Sequence, residues 1–187
     1  MPYADKCASC KYSQGIEHPR GGVAKLTGDW IVNQYGGSEG YLGWLALQPR
    51  FHYNDLSDLT ATELHALGPN LKDLDGVLKQ YWRLQFPADE IRRVYIVYFF
   101  ESKFRKTCKE DEEFHLHIHV IPRFESLGQP GGLLVSKCGV TWVDGWQVPL
   151  LFERGVIPEP YRRDSPMWES RATQLMDYIR NELAIRP

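Results

Sequence analysis

Phe114-His115-Leu116-His117-Ile118-His119-Val120-Ile121-Pro122-Arg123 is the stretch on which the fold of this chain turns. Three of the chain's six histidines fall inside it, at every second position. Residues 114–122 read as a strand, in which successive side chains alternate faces with a period of two. His115, His117 and His119 then point one way, while Phe114, Leu116, Ile118 and Val120 point into a core. Neighbouring imidazoles on that face start about 6.6–6.8 Å apart at the backbone. They are near enough to share a site and far enough apart to hold different roles. A solvated strand face would be served equally well by Lys, Thr or Glu, and three imidazoles in register gain nothing from plain exposure. A metal site built from these three alone needs extra curvature to make them converge. Both readings stay open beside that of a reactive site.

Working outward, Arg93–Glu101 is rich in Val, Ile, Tyr and Phe and reads as a strand. Leu59–Trp82 reads as a long helix, with Thr60 as N-cap and Glu63 closing a capping box. Leu64, Leu67, Leu71, Leu74 and Leu78 at three- and four-residue spacing are expected to form its buried stripe, and Gly68-Pro69 to adjust it locally. Asp29–Gln34 and Tyr41–Gln48 read as an antiparallel hairpin about Gly36–Gly40. Residues 11–27 read as a loop. Downstream, Gly128–Gly132 is a flexible loop, and Gly139–Val148 can make a Trp-bearing hairpin through Asp144-Gly145. The Pro-rich stretch Val156–Pro166 leads into a last helix over Met167–Leu183. Residues 1–125 are taken as the main domain. Residues 126–187, a tail of about 60 residues, are too few to trust as an independent domain. Trp142, Trp146, Trp168, Leu175 and Tyr178 are expected to pack this tail onto the main sheet.

Composition narrows the function classes. The formal net charge of the 187 residues is −2 with His neutral, which argues against a general nucleic-acid-binding surface but not against an anionic ligand in a local pocket. No apolar run approaches the roughly 20 residues of a membrane span. The segment MPYADKCASCKYSQ has no apolar stretch that would serve as a signal peptide, so the cytoplasm is the expected compartment. Four cysteines in such a chain argue against a disulfide framework. Two of them, Cys7 and Cys10, have metal-ligand spacing. Alone the pair does not make a site, since zinc wants four ligands in a tetrahedron, commonly Cys and His. His52, after the second strand, and His115 are the further ligands on offer. A reduced CxxC with His52 and His115 in hydrogen-bonding roles is the alternative.

Residues His115 to Ile121 resemble the signature of the histidine triad (HIT) superfamily, His-φ-His-φ-His-φ-φ with φ apolar, and fill it without a mismatch. The upstream order is similar too: a CxxC pair, a hairpin, a lone His after a Pro, a helix and a strand precede the histidine strand. The resemblance spans roughly residues 7 to 123. It implies an α+β fold, with an antiparallel sheet of about five strands, one long helix packed on it and here a C-terminal extension. It also implies a homodimer and a nucleotide substrate. The middle histidine, His117, would be the nucleophile that attacks an α-phosphorus and forms a covalent nucleotidyl-histidine. His119 would contact the phosphate or leaving-group side. Base and ribose would lie against the hairpin, with Trp30, Val32, Asn33 and Tyr35 as candidates; core or ordinary strand surface is their alternative. Zinc-bearing members, among them galactose-1-phosphate uridylyltransferase and some bacterial HIT hydrolases, hold a structural zinc with a CxxC pair, a His after the hairpin and the first motif His. Cys7, Cys10, His52 and His115 match those positions in order.

One region departs from the pattern. Many HIT enzymes carry a small hydroxyl or amide residue a few positions before the first motif His. Here Glu110-Asp111-Glu112-Glu113 occupies that place. The run can turn outward as a solvated loop, select a cationic leaving group, or mark a loss of the nucleotidyl activity. The function implied is that of a nucleotide hydrolase or nucleotidyl transferase. A non-catalytic nucleotide sensor and a zinc-stabilised interaction protein, with the Trp-rich tail as its working surface, remain beside it.

Overall fold

A computed structural model describes residues 6–36, 41–98, 114–128 and 161–184. Five strands run through it: β1 (Val23–Leu26), β2 (Trp30–Gln34), β3 (Leu45–Pro49), β4 (Ile91–Val97) and β5 (Ile118–Phe124). All neighbours are antiparallel, and the order across the sheet is β1-β2-β3-β5-β4. Three α-helices accompany them among the described residues: α1 (Ala8–Gln14), α2 (Ala61–Gln85) and α3 (Trp168–Ala184). This is the α+β architecture expected, with the β2–β3 pair and the long helix in their places. The histidine strand sits between β3 and β4, so it is bonded on both edges.

Residues 11–27 are not the loop expected of them. They include most of α1 and all of β1. α1 has only seven residues and is held by its ends. Cys7 Sγ takes the Cys10 N–H, and Gly15, at φ 71°, returns its own N–H to Lys11 and Tyr12 carbonyls. β1 spans four residues at the sheet edge, too few for an alternation to stand out. The second hairpin strand starts at Leu45 rather than Tyr41, because the chain turns first at Gly43. Its φ is +87°, and a Cβ there would lie 2.7 Å from the Trp82 ring, so both the backbone and the space demand glycine.

The α2 capping box forms as expected, with Thr60 Oγ1 accepting from Glu63 N–H and Glu63 Oε2 accepting from Thr60 N–H. The buried stripe differs in its first half. Leu74 and Leu78 are fully buried, but Leu64 is 47% exposed, and the buried side continues through Val77, Tyr81 and Trp82. Near its start α2 meets the sheet through polar atoms instead. Trp30 Nε1 donates to the Glu63 carbonyl at 2.8 Å, and Asn70 exchanges two hydrogen bonds with Thr27. Pro69 lies inside the helix, which runs as one element across it.

Trp30, Val32, Leu45, Leu47, Ile118 and Val120 share a core with Leu74, Leu78 and Trp82 of α2. Trp168, Ala172, Leu175, Met176 and Ile179 of α3 enter the same core. Leu175, Met176 and Ile179 contribute about 1.5–3 kcal/mol each, so α3 is an integral layer of the fold. The approach to α3 is pinned at Asp89, whose carboxylate accepts from Tyr161 Oη at 2.7 Å and from Ser126 N and Oγ at 2.8 and 2.6 Å. The expected Trp-bearing hairpin over 139–148 and the acidic run 110–113 lie outside the described residues. No helix among the described residues is long and apolar enough to cross a membrane.

Candidate functional site

The ladder of β5 begins only at Ile118, so residues 114–117 approach it without full strand pairing. Leu116 N–H bonds to the Tyr53 carbonyl at 2.8 Å, beyond the end of β3. The alternation nevertheless persists where it matters. Leu116, Ile118 and Val120 are buried in the core, and the rings of His117 and His119 lie on a common side, 4.7 Å apart and edge to face. His115 diverges from them. It turns into a separate cluster, so the three histidines serve two centres.

The first centre joins Cys7, Cys10, His52 and His115, whose ligand atoms all lie within 4.8 Å of one another. The local fold explains the meeting: α1 presents the two sulfurs from its N-cap, Cys7, and its first turn, His52 follows β3, and His115 precedes β5. Cys7 Sγ lies 3.4 Å from His115 Nδ1, and Cys10 Sγ lies 3.4 Å from His52 Nδ1 and 3.5 Å from His115 Nδ1. A tetrahedral metal with bonds of about 2.3 Å to sulfur and about 2.0–2.1 Å to nitrogen sets such atoms about 3.5 Å apart. His115 Nε2 lies 2.9 Å from the Pro49 carbonyl oxygen, which can only accept. The proton is therefore on Nε2 and the lone pair on Nδ1, facing the sulfurs. Burial pushes the Cys7 thiol up to about 12 and the His115 imidazole down to about 4. A thiolate at this place wants a cation beside it, and a neutral imidazole is the form that ligates one.

The second centre is the pair His117 and His119. His117 Nδ1 lies 2.9 Å from the His115 carbonyl oxygen. That oxygen only accepts, so Nδ1 carries the proton and Nε2 the lone pair. His119 is set the opposite way. Trp44 Nε1 donates to its Nδ1 at 2.9 Å, and indole can only donate. The neutral ring then carries its proton on Nε2. An imidazole with a nucleophilic Nε2 thus stands beside one with a donating Nε2–H. His119 is 4% exposed, whereas His117 is half-buried and nearer the surface.

Strand register sorts the four hairpin candidates. Asn33 pairs with Ala46, and Ala46 with His119, so Asn33 shares the histidine face. The Tyr35 ring lies 4.8 Å from that of His119 and 6.5 Å from that of His117. Asn33 and Tyr35 also line a cleft with Tyr12, His18, Gln34 and Arg163. Trp30 and Val32 fall on the opposite face, in the core beneath α2, where Trp30 is 1% and Val32 0% exposed. Three contributors escaped the sequence reading: Trp44, Gln48 and the Pro49 carbonyl. The first two had a signal, since Trp44, Ala46 and Gln48 share a face by alternation, and a buried indole or amide needs a partner.

No protein-family model and no curated protein matches the chain. Solved structures do. A HIT-like protein involved in cell-cycle regulation from Bartonella henselae, solved with an unknown ligand, is 15% identical with a TM-score of 0.54, over 97% of this chain and 100% of its own. A zinc-bound histidine triad family protein from Mycobacterium smegmatis is 14% identical with a TM-score of 0.52, over 95% of this chain and 93% of its own. The likeness is one of fold. The fold is shared with these histidine triad proteins, and residues 115–121 fill the His-φ-His-φ-His-φ-φ pattern.

Proposed function

We propose that the chain is a nucleotide hydrolase or nucleotidyl transferase. It acts at the α-phosphate of a nucleoside phosphate anhydride, phosphoramidate or dinucleoside polyphosphate. The observation that carries this is the opposite tautomers of His117 and His119, 4.7 Å apart. His117 Nε2 attacks the α-phosphorus, the N–P bond forms and the bond to the leaving group breaks. His119 Nε2–H gives a hydrogen bond to the oxygen or nitrogen on which negative charge collects. Water or an acceptor hydroxyl then displaces His117, which recovers its lone pair. Covalent catalysis of this kind divides one hard displacement into two easier ones. Asn33 and Tyr35 flank the nucleoside. Trp30 and Val32 act through the core rather than by contact.

Cys7, Cys10, His52 and His115 hold a structural zinc in this reading. The sulfur–nitrogen separations of 3.4–3.5 Å and the Nε2–H bond of His115 to Pro49 support it. So does the zinc-bound neighbour from Mycobacterium smegmatis. The chain acts as a homodimer, a reading supported by the outer position of β4 and the half-exposed Ile96 on it.

The test is to incubate the protein with α-phosphate-labelled nucleoside phosphoramidates and dinucleoside polyphosphates, and to look for turnover and an acid-labile adduct. The parent should form both, and His117→Ala neither. His117→Ala turning over at the parent rate would sink the nucleophile assignment. Binding without turnover in both proteins would make the chain a sensor. No binding in either would leave an interaction protein.

A further inference from the structure

Three hydrogen bonds in line join the cysteine helix to the cleft. Ser9, between the two cysteines, gives its hydroxyl proton to Gln48 Oε1 at 2.7 Å. Gln48 Nε2 donates to Asn33 Oδ1 at 3.2 Å. Asn33 Nδ2 donates to the Gln34 carbonyl at 2.8 Å. One end fixes the sense of the whole line. The Gln34 carbonyl can only accept, so the Asn33 nitrogen must face it and the Asn33 oxygen must face Gln48. Gln48 must then turn its nitrogen to Asn33 and its oxygen to Ser9. Gln48 is 3% and Asn33 4% exposed, so water does not repair a reversed amide.

Both ends of this line matter to the proposed chemistry. Asn33 lines the cleft, and its Nδ2 carries a second N–H besides the one given to Gln34. At the other end, α1 has seven residues, too few to hold a helix by themselves. Its start is tied to the rest of the fold by its sulfurs and by Ser9.

We propose that Gln48 is a positioning residue: it transmits the placement of the metal-binding helix α1 to Asn33, and so aims the second Nδ2–H of Asn33 at an acceptor on a nucleoside monophosphate in the cleft. This rests on the nucleotide reading above. It makes ligand affinity depend on a cluster that touches no ligand. Gln48 is the link because it alone both accepts from Ser9 and donates to Asn33. A carboxylate there has the same shape and accepts only, so it sets oxygen against oxygen unless Asn33 turns over. If Asn33 turns over, its oxygen meets the Gln34 carbonyl and its N–H is lost to the cleft.

The test uses Gln48→Glu, which reverses the middle of the line, and Ser9→Ala, which cuts its metal end without touching a metal ligand. Zinc content is measured on each. The first readout needs no nucleotide: the side-chain amide resonances of Asn33 in the ¹⁵N-labelled, zinc-loaded protein. Both variants should move them, Ser9→Ala through Gln48 alone. The second readout is AMP affinity by calorimetry. Gln48→Glu should weaken it about tenfold, equivalent to about 1.4 kcal/mol, and Ser9→Ala by a smaller factor. Asn33 resonances that stay in place in Ser9→Ala overturn the proposal, as does unchanged AMP affinity in a zinc-loaded Gln48→Glu. If Gln48→Glu fails to fold or to hold zinc, Ser9→Ala decides. A parent that binds no AMP defeats the nucleotide reading, and the resonances then judge the line by themselves.

Discussion

Replacing Trp44 with Phe should slow turnover while leaving nucleotide affinity nearly alone. The indole Nε1–H is 2.9 Å from His119 Nδ1 and sets that ring's tautomer. Phe keeps an aromatic ring where Trp44 stacks on Tyr35 at 4.8 Å and meets His119 edge-on at 5.5 Å, but it has no donor. Trp44 is 2% and His119 4% exposed, so solvent does not supply a substitute. Two responses are open to the ring. It can keep its proton on Nε2 and leave a buried Nδ1 unpaired, at a cost of about 1–3 kcal/mol. Otherwise it moves the proton to Nδ1 and turns a lone pair toward the place where charge collects. The cost of the first response favours the second, in which the donor that His119 offers in the transition state is lost from Nε2, at about 1–2 kcal/mol, equivalent to about a five- to thirtyfold drop in kcat. The smaller ring also leaves a void, so thermal stability falls as well, and this is measured separately by unfolding. The assay is steady-state hydrolysis of a nucleoside phosphoramidate, with kcat and KM resolved, alongside ¹⁵N spectra of the histidine side chains. A variant with parental kcat, or one whose His119 keeps its proton on Nε2 while kcat falls, would refute the tautomer argument.

Other perturbations test the remaining parts. Protein purified without added metal should contain one zinc per chain by elemental analysis. Cys7→Ala should lose it and melt at a lower temperature, because a structural zinc contributes folding energy directly; a metal-free parent that stays folded and active would contradict this. Leu175→Ala in α3 should cost about 2–5 kcal/mol in denaturant unfolding, as expected for a fully buried leucine, and a change under about 0.5 kcal/mol would mean that α3 is dispensable to the core. Glu112→Gln and Glu113→Gln should change kcat/KM by less than tenfold if the acidic run is a solvated loop; a larger effect, beyond about 1.4 kcal/mol, would bring the run into the site.

The sheet, the long helix and the histidine strand were legible because each is long or carries a strong local signal. The capping box at Thr60 and Glu63 is four residues of side-chain chemistry that needs no tertiary context. The convergence of Cys7, Cys10, His52 and His115 was legible only through the order of a family pattern, since nothing across a separation of 108 positions says that Cys7 meets His115. β1 and α1 were missed because four and seven residues hold too little periodicity, and because their stability comes from neighbours. Spacing places Leu64 in a buried stripe that the helix does not keep. Polar contacts at Glu63 and Asn70 hold that end instead, so spacing alone misled. Trp30 and Val32 show the limit of naming residues by nearness in sequence. Asn33 separates from Val32 by one position and by the whole thickness of the sheet.

The two centres are joined by backbone as well as by position. His115 is fixed at both ring nitrogens, Nδ1 toward the sulfurs and Nε2–H on the Pro49 carbonyl. A ring held at both ends leaves its own peptide little freedom, and the carbonyl of that peptide is the acceptor for His117 Nδ1–H. The group that orients the proposed nucleophile is therefore the main chain of a proposed metal ligand. A metal bound by Nδ1 of His115 need not approach phosphate to influence His117. It would act by holding one carbonyl in place, and through it the lone pair on Nε2. Meanwhile His119 takes a hydrogen bond from Trp44, which lies just before β3. The nucleophile and the donor are thus oriented by different hydrogen-bond partners. Loss of metal should disturb the first and spare the second, which explains how three histidines two residues apart come to hold three separate roles.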